Sequence, residues 1–135
     1  MDTSVWSLAL RRSARRLSPE EAHIRRQLED LIQEGRAQLI GPIRQELLYG
    51  IRHEPQFLKL RERLRMFRDE RLKTADYEQA AQAGNRCRAA GITGSTIDFL
   101  ICAVAASRKW PIFTTDEDFR RYARHLPIVL HQQRD

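Results

Sequence analysis

The sequence predicts an α/β domain in which a short, mostly parallel central sheet is flanked by helices. Short apolar runs, at 37–40, 112–114 and 127–130, alternate with longer segments whose apolar residues recur at helical spacing. Glycine, proline and capping residues mark the boundaries between them. A chain of 135 residues, 41% apolar and 31% charged, has material for one hydrophobic core and not for two, so residues 1–135 are expected to form a single domain.

Taken in order, Asp2-Thr3-Ser4 opens into an apolar stretch (Val5, Trp6, Leu8, Leu10), and a basic connector follows with Arg11, Arg12, Arg15 and Arg16. Ser18-Pro19-Glu20-Glu21 is a helix start, with serine at the N-cap, proline at the first helical position and glutamate at the third. Ile24, Leu28, Leu31 and Ile32 carry that helix to Gly35. Ala37 to Ile40 reads as a buried strand that Gly41-Pro42 ends, feeding a helix with Ile43, Leu47 and Ile51 inward and Glu46 in its first turns.

His53-Glu54-Pro55 breaks the chain. Phe57, Leu60, Leu64 and Phe67 form the seam of the next helix, whose other face bears Arg61, Glu62, Arg63 and Arg65. Thr74 is expected to cap a further helix with Tyr77, Ala80, Ala81, Gly84 and Cys87 inward, closing at Gly91. Ser95 begins a nearly all-apolar helix that Trp110-Pro111 stops after Lys109. A second strand at Ile112 to Thr114, a helix at Glu117 to Arg124 and a last strand at Pro127 to Leu130 complete the series.

Composition narrows the function classes. The net charge is +6, and all but three of the 24 cationic residues are arginine, whose planar fork suits phosphate. A polyanionic partner fits that charge, although solvation of the surface accounts for it equally well. Cys87 and Cys102 lack zinc-site spacing and each falls in a helical apolar pattern, which reads as two buried thiols. The longest apolar run, Ile97 to Ala106, is about half a membrane span and carries Asp98. With no secretory pattern at the N-terminus, the expected compartment is the cytoplasm. The four histidines show no ligand spacing, and the aromatic residues fall mostly on apolar seams, where they read as core.

The chemistry is carried by acids. In open parallel sheets the binding crevice lies where strands end and helices begin. Glu46 follows the 37–40 run, Asp116 follows 112–114, and Asp2 stands as if just past a strand. Asp98 lies in the first turn of the apolar helix and is the only acid between Glu78 and Asp116. Carboxylates gathered together repel one another unless a cation neutralises them. Mg²⁺ suits such a group, taking one or two carboxylates directly while others hold its waters. Each acid also has a purely structural reading: Asp98 and Asp118 stand three residues after Ser95 and Thr115, a capping-box spacing, and Asp116 suits a helix N-terminus.

The pattern resembles the PIN-domain ribonucleases, in particular the toxins of VapBC-type toxin–antitoxin pairs. The matching stretches are Asp2-Thr3-Ser4-Val5-Trp6, Ile43-Arg44-Gln45-Glu46-Leu47-Leu48-Tyr49-Gly50, Ser95-Thr96-Ile97-Asp98-Phe99-Leu100-Ile101-Cys102-Ala103 and Ile112-Phe113-Thr114-Thr115-Asp116-Glu117-Asp118-Phe119. Their order and spacing agree over essentially the whole chain. The resemblance implies a PIN-like domain with Asp2 and Asp98 as principal metal ligands. It makes Asp116 a further ligand, has Glu46 complete the catalytic acids, and gives Asp118, Ser4 and Thr114 auxiliary places. It also implies Mg²⁺ or Mn²⁺ as cofactor, hydrolysis of RNA phosphodiesters, a homodimer, and a small antitoxin whose C-terminal segment fills the groove. Arg11, Arg12, Arg15 and Arg16, and the face of Arg61, Arg63 and Arg65, are candidate RNA contacts.

One departure stands out. Relatives carry a few apolar residues before the first aspartate, forming the central strand, whereas only Met1 precedes Asp2 here. The expectation is a truncated first strand. That departure motivates an alternative, a PIN-fold protein that binds RNA or a partner through an impaired metal site. Two other readings are weaker. Thr115-Asp116-Glu117-Asp118 is similar to the paired aspartates of haloacid-dehalogenase-like phosphatases, but it lies near the C-terminus with no lysine after it. A helix-turn-helix over 20–51 is interrupted by Gly41-Pro42 where that motif needs a tight turn.

Overall fold

The computed structural model describes residues 18–131. Asp2, Ser4, Arg11, Arg12, Arg15 and Arg16, with the expected truncated strand before Asp2, lie outside the described residues. The chain divides into two compact units, whose described parts are 18–70 and 71–131.

In the unit 18–70, helix α1 (Pro19–Gln33) begins as its sequence dictates. Ser18 Oγ accepts from the Glu21 N–H at 3.1 Å and Glu21 Oε1 accepts from the Ser18 N–H at 3.2 Å, a closed capping box. Its buried face is Ile24, Gln27, Leu28 and Leu31, and the Gln27 amide donates to His23 Nε2 at 2.8 Å. Helices α2 (Gly41–Leu48) and α3 (Glu54–Leu64) bury Ile43 and Leu47, and Leu60 and Leu64. Arg44 on α2 then ties down the turn after α3. Its guanidinium donates to Leu64 O at 2.8 Å, Phe67 O at 2.6 Å and Asp69 Oδ1 at 2.8 Å. That turn brings Asp69 beside Leu39 in a parallel bridge, and the Glu70 N–H donates to Leu39 O at 2.9 Å.

The unit 71–131 is built on α4 (Thr74–Ala89) and α5 (Thr96–Arg108), with the short α6 (Asp118–Ala123) beyond. Every residue of α5 from Phe99 to Ala105 is buried, as a helix apolar on all sides must be. Gly84 gives α5 its close approach to α4, since a Cβ there would lie 3.1 Å from the Phe99 ring. An ion pair joins the start of α4 to the end of α5: Asp76 accepts from Arg108 Nη1 at 2.9 Å and Nη2 at 3.0 Å, and from the Lys73 N–H at 2.8 Å. Arg108 Nη2 also donates to Arg71 O at 2.9 Å. Lys109 closes α5 in the left-handed region, at φ 59°.

The expected α/β class, with its mostly parallel central sheet, is corrected by this structure. The described residues are 61% helix and 4% strand, and they form no sheet. Each apolar run that was expected to be a strand makes at most a single bridge. Leu39 pairs with Asp69, and Ile112 pairs with Leu130 through Ile112 N–H to Val129 O and His131 N–H to Ile112 O, both 2.8 Å. The runs are too short to extend further. Pro42, Pro111 and Pro127 stand at their edges, where a missing N–H ends a ladder. The α4 seam is also narrower than expected. Ala80 and Cys87 are buried, but Ala81 is exposed and Tyr77 is 55% exposed. Thr74 is the first helical residue rather than the cap, and the Asp76 carboxylate satisfies the start of the helix instead.

Candidate active site

Asp98 stands in the first turn of α5, placed there by its own local chemistry. Ser95 is the N-cap, and its Oγ accepts from the Asp98 N–H at 3.1 Å. The carboxylate is half-buried, and its Oδ2 accepts from the Tyr122 hydroxyl at 2.9 Å. Tyr122 comes from α6 and is fully buried. Its ring lies between those of Phe99, 5.1 Å away and tilted by 52°, and Phe119, 5.2 Å away and near edge-on at 74°. At Gly94 a Cβ would overlap the Tyr122 hydroxyl and lie 2.8 Å from its Cζ, so only glycine leaves that space open.

Asp116 and Asp118 are set by a chain of local bonds after the 112–114 run. Thr114 Oγ1 accepts from the Asp116 N–H at 3.0 Å, and Asp116 Oδ1 accepts from the Asp118 N–H at 2.9 Å, an Asx turn that leads into α6. Asp118 also pairs with Arg121 at 3.5 Å across one exposed helical turn. The charges of these acids also act on Tyr122. Burial, the hydrogen bond to Asp98 and the charges of Asp98, Asp118 and Asp116 all raise its phenol far above the usual range. The hydroxyl therefore keeps its proton and acts as a donor.

The structure thus bonds Asp98 to a buried phenol, and sets Asp116 and Asp118 together in one turn that Thr114 supports, with charges that also act on that phenol. Glu46 is half-buried on α2, in the unit 18–70. Of the second basic group, Arg63 and Arg65 are exposed while Arg61 is half-buried, and Arg65 lies 3.8 Å from Glu62. The two thiols are buried as expected. Burial pushes both above their usual range, and the Asp98 charge adds to the effect at Cys102. Two clefts in the unit 71–131, one lined by Ala80, Gly84 and Phe99 and another by Ala83, Cys102 and Leu126, do not include these acids.

Sequence reasoning missed Tyr122 and Gly94. The signal was present in part: Phe119, Tyr122 and Leu126 share a helical seam, and a buried tyrosine hydroxyl needs an acceptor. The acceptor that Tyr122 meets is a carboxylate oxygen, the kind of ligand a hard divalent cation takes. Among the described residues no three acidic, histidine or cysteine side chains are close enough to hold a metal ion together. An ion that takes one or two carboxylates directly and keeps several waters fits that looser arrangement.

No curated protein matches the chain. Among the described residues no helix is long and apolar enough to cross a membrane. A family model described as "PIN domain" matches residues 1–125. PIN domains are generally nucleases, which are hydrolases, and they usually bind divalent metals. With that match covering most of the sequence, the chain belongs to the PIN-domain family.

Proposed function

We propose that the chain is a metal-dependent endoribonuclease that works as a single domain in the cytoplasm, as the toxin of a toxin–antitoxin pair. The observation that carries this reading is the Asp98 carboxylate, fixed at the start of a buried helix by the Tyr122 hydroxyl, with Asp116 and Asp118 set in one ordered turn of the same unit. Asp2, Asp98 and Asp116 serve as ligands for Mg²⁺ or Mn²⁺, Glu46 completes the catalytic acids, and Asp118, Ser4 and Thr114 assist. The chemistry such an ion supplies is Lewis acidity, which acidifies water for in-line attack and steadies charge on the phosphodiester.

The chain's own residues do the positioning. Ser95 and Tyr122 fix the backbone and the carboxylate of Asp98. Thr114 and the Asx turn aim Asp116. An RNA substrate suits the net charge of +6, with Arg11, Arg12, Arg15 and Arg16 as candidate phosphate contacts. A homodimer and a small antitoxin whose C-terminal segment enters the groove complete the proposal.

The test is cleavage of end-labelled RNA by the wild type and Asp98→Asn across a Mg²⁺ and Mn²⁺ titration. Cleavage should stop with EDTA and return with either metal. It should fall more than about 100-fold in the variant, because even the groups supporting metal ligands are worth 10–100-fold. Equal cleavage by both proteins sinks the carboxylate mechanism. RNA bound but left intact at high Mg²⁺ identifies the alternative, a binding protein with an impaired site. Growth arrest on expression, relieved by the product of a short neighbouring reading frame, tests the toxin role.

A further inference from the structure

Tyr122 is a larger commitment than core packing requires. Its ring sits against Phe99 and Phe119, contacts that a phenylalanine would make equally well. What the tyrosine adds is a hydroxyl, which is taken into the interior with a fully buried residue and must have an acceptor there. That acceptor is Asp98 Oδ2, 2.9 Å away. Gly94 is shaped to the same bond, because any side chain there would fall on the hydroxyl.

We propose that Tyr122 is a positioning residue for Asp98, holding its carboxylate in the orientation from which a divalent cation takes an oxygen, and that Gly94 keeps open the space this needs. The inference rests on the reading of Asp98 as a metal ligand. An aspartate carboxylate turns easily about χ2, a broad and roughly two-fold torsion. A donor on a ring locked between two other rings narrows that rotation, and a tyrosine fixed by packing cannot follow a drifting partner. Groups that orient metal ligands in this way are worth about 10–100-fold in metal affinity or activity.

The experiment compares the wild type with Tyr122→Phe, Gly94→Ala and Asp98→Asn. It measures Mn²⁺ binding by calorimetry, thermal unfolding by far-UV circular dichroism, and RNA cleavage resolved into kcat and KM. Tyr122→Phe should bind Mn²⁺ about 10–100-fold more weakly and need that much more Mn²⁺ for half-maximal cleavage. Its KM for RNA should hold, and saturating Mn²⁺ should restore most of kcat. A merely structural role moves the unfolding temperature and leaves the metal dependence alone. Gly94→Ala should reproduce the metal defect with both Tyr122 and Asp98 intact, and it carries the readout if Tyr122→Phe does not fold. If both folded variants bind Mn²⁺ like the wild type while Asp98→Asn does not, the positioning role is overturned and the nuclease reading stands. If Asp98→Asn itself binds Mn²⁺ and cleaves RNA normally, both are overturned.

Discussion

Replacing Asp76 with alanine would leave the Arg108 guanidinium in the interior without the carboxylate it forks onto. Three hydrogen bonds end on that carboxylate: two from Arg108, at 2.9 and 3.0 Å, and one from the Lys73 N–H, at 2.8 Å. Breaking a buried pair from one side costs about 3–5 kcal/mol, because the surviving charge is left uncompensated. The Arg108 side chain is 18% exposed against 6% for Asp76, and it keeps Arg71 O as a partner. Part of its charge thus remains solvated, which places the loss near the lower end, about 3 kcal/mol. At roughly 4 °C per kcal/mol for a chain of this size, the unfolding midpoint falls by roughly 12 °C. Trp110 lies under Arg108, 5.8 Å from the ring centre to Cζ, so its fluorescence in a Trp6→Phe background reports the unit that holds the pair.

The double variant Asp76→Ala/Arg108→Met should recover much of the loss, because removing both charges avoids the stranded one. The pH dependence has a definite sign. The Arg108 guanidinium, bonded to the carboxylate, holds Asp76 below the usual carboxylate range in the folded state. Its contribution is therefore full above the unfolded value, near 4, and is lost as pH falls through the lower folded value. Urea unfolding between pH 7 and pH 3 should show a steeper acid decline in the wild type than in Asp76→Ala. A single variant that loses under about 0.5 kcal/mol at pH 7, or a double whose loss equals the sum of the singles, would refute the reasoning.

Arg44→Ala should cost about 2 kcal/mol through the guanidinium hydrogen bonds lost to Leu64 O, Phe67 O and Asp69, although Leu64 O keeps the Phe67 N–H at 3.0 Å. Hydrogen exchange should then quicken at the Glu70 amide, and Arg44→Lys should rescue little because an ammonium cannot fork across that turn. Lys109→Gly should stabilise by about 0.5–1 kcal/mol in urea unfolding, since it relieves a non-glycine residue at φ 59°. A loss of stability there would mean that the lysine side chain contributes more than its backbone strain costs.

What the sequence disclosed was chiefly local. Ser18 and Ser95 announce their helices because a cap needs only the next three residues, and both cap as read. Cys87 and Cys102 are buried because helical spacing on an apolar face is also local information. Asp98 was conspicuous as the one acid in an apolar helix. The sheet was misread because strand pairing is decided by distant partners. Leu39 meets Asp69, and Ile112 meets Leu130, in single bridges that no periodicity foretells. Tyr122 escaped for the same reason, since its partner lies 24 residues away and its spacing says only that it is inward. Thr74 gave way to Asp76 because a carboxylate three residues in, already held by Arg108, also satisfies the Lys73 amide.

The bridge between Ile112 and Leu130 also bears on the order in which the molecule can be completed. Ile112 leads directly into the turn that carries Thr114, Asp116 and Asp118, yet its pairing partners are Val129 and His131. Synthesis runs from the N-terminus, so a nascent chain stopped before residue 129 already contains every one of these acids but not the segment that anchors their turn. On the ribosome, the acidic turn can therefore be anchored only once residues 129–131 have been made and have left the exit tunnel.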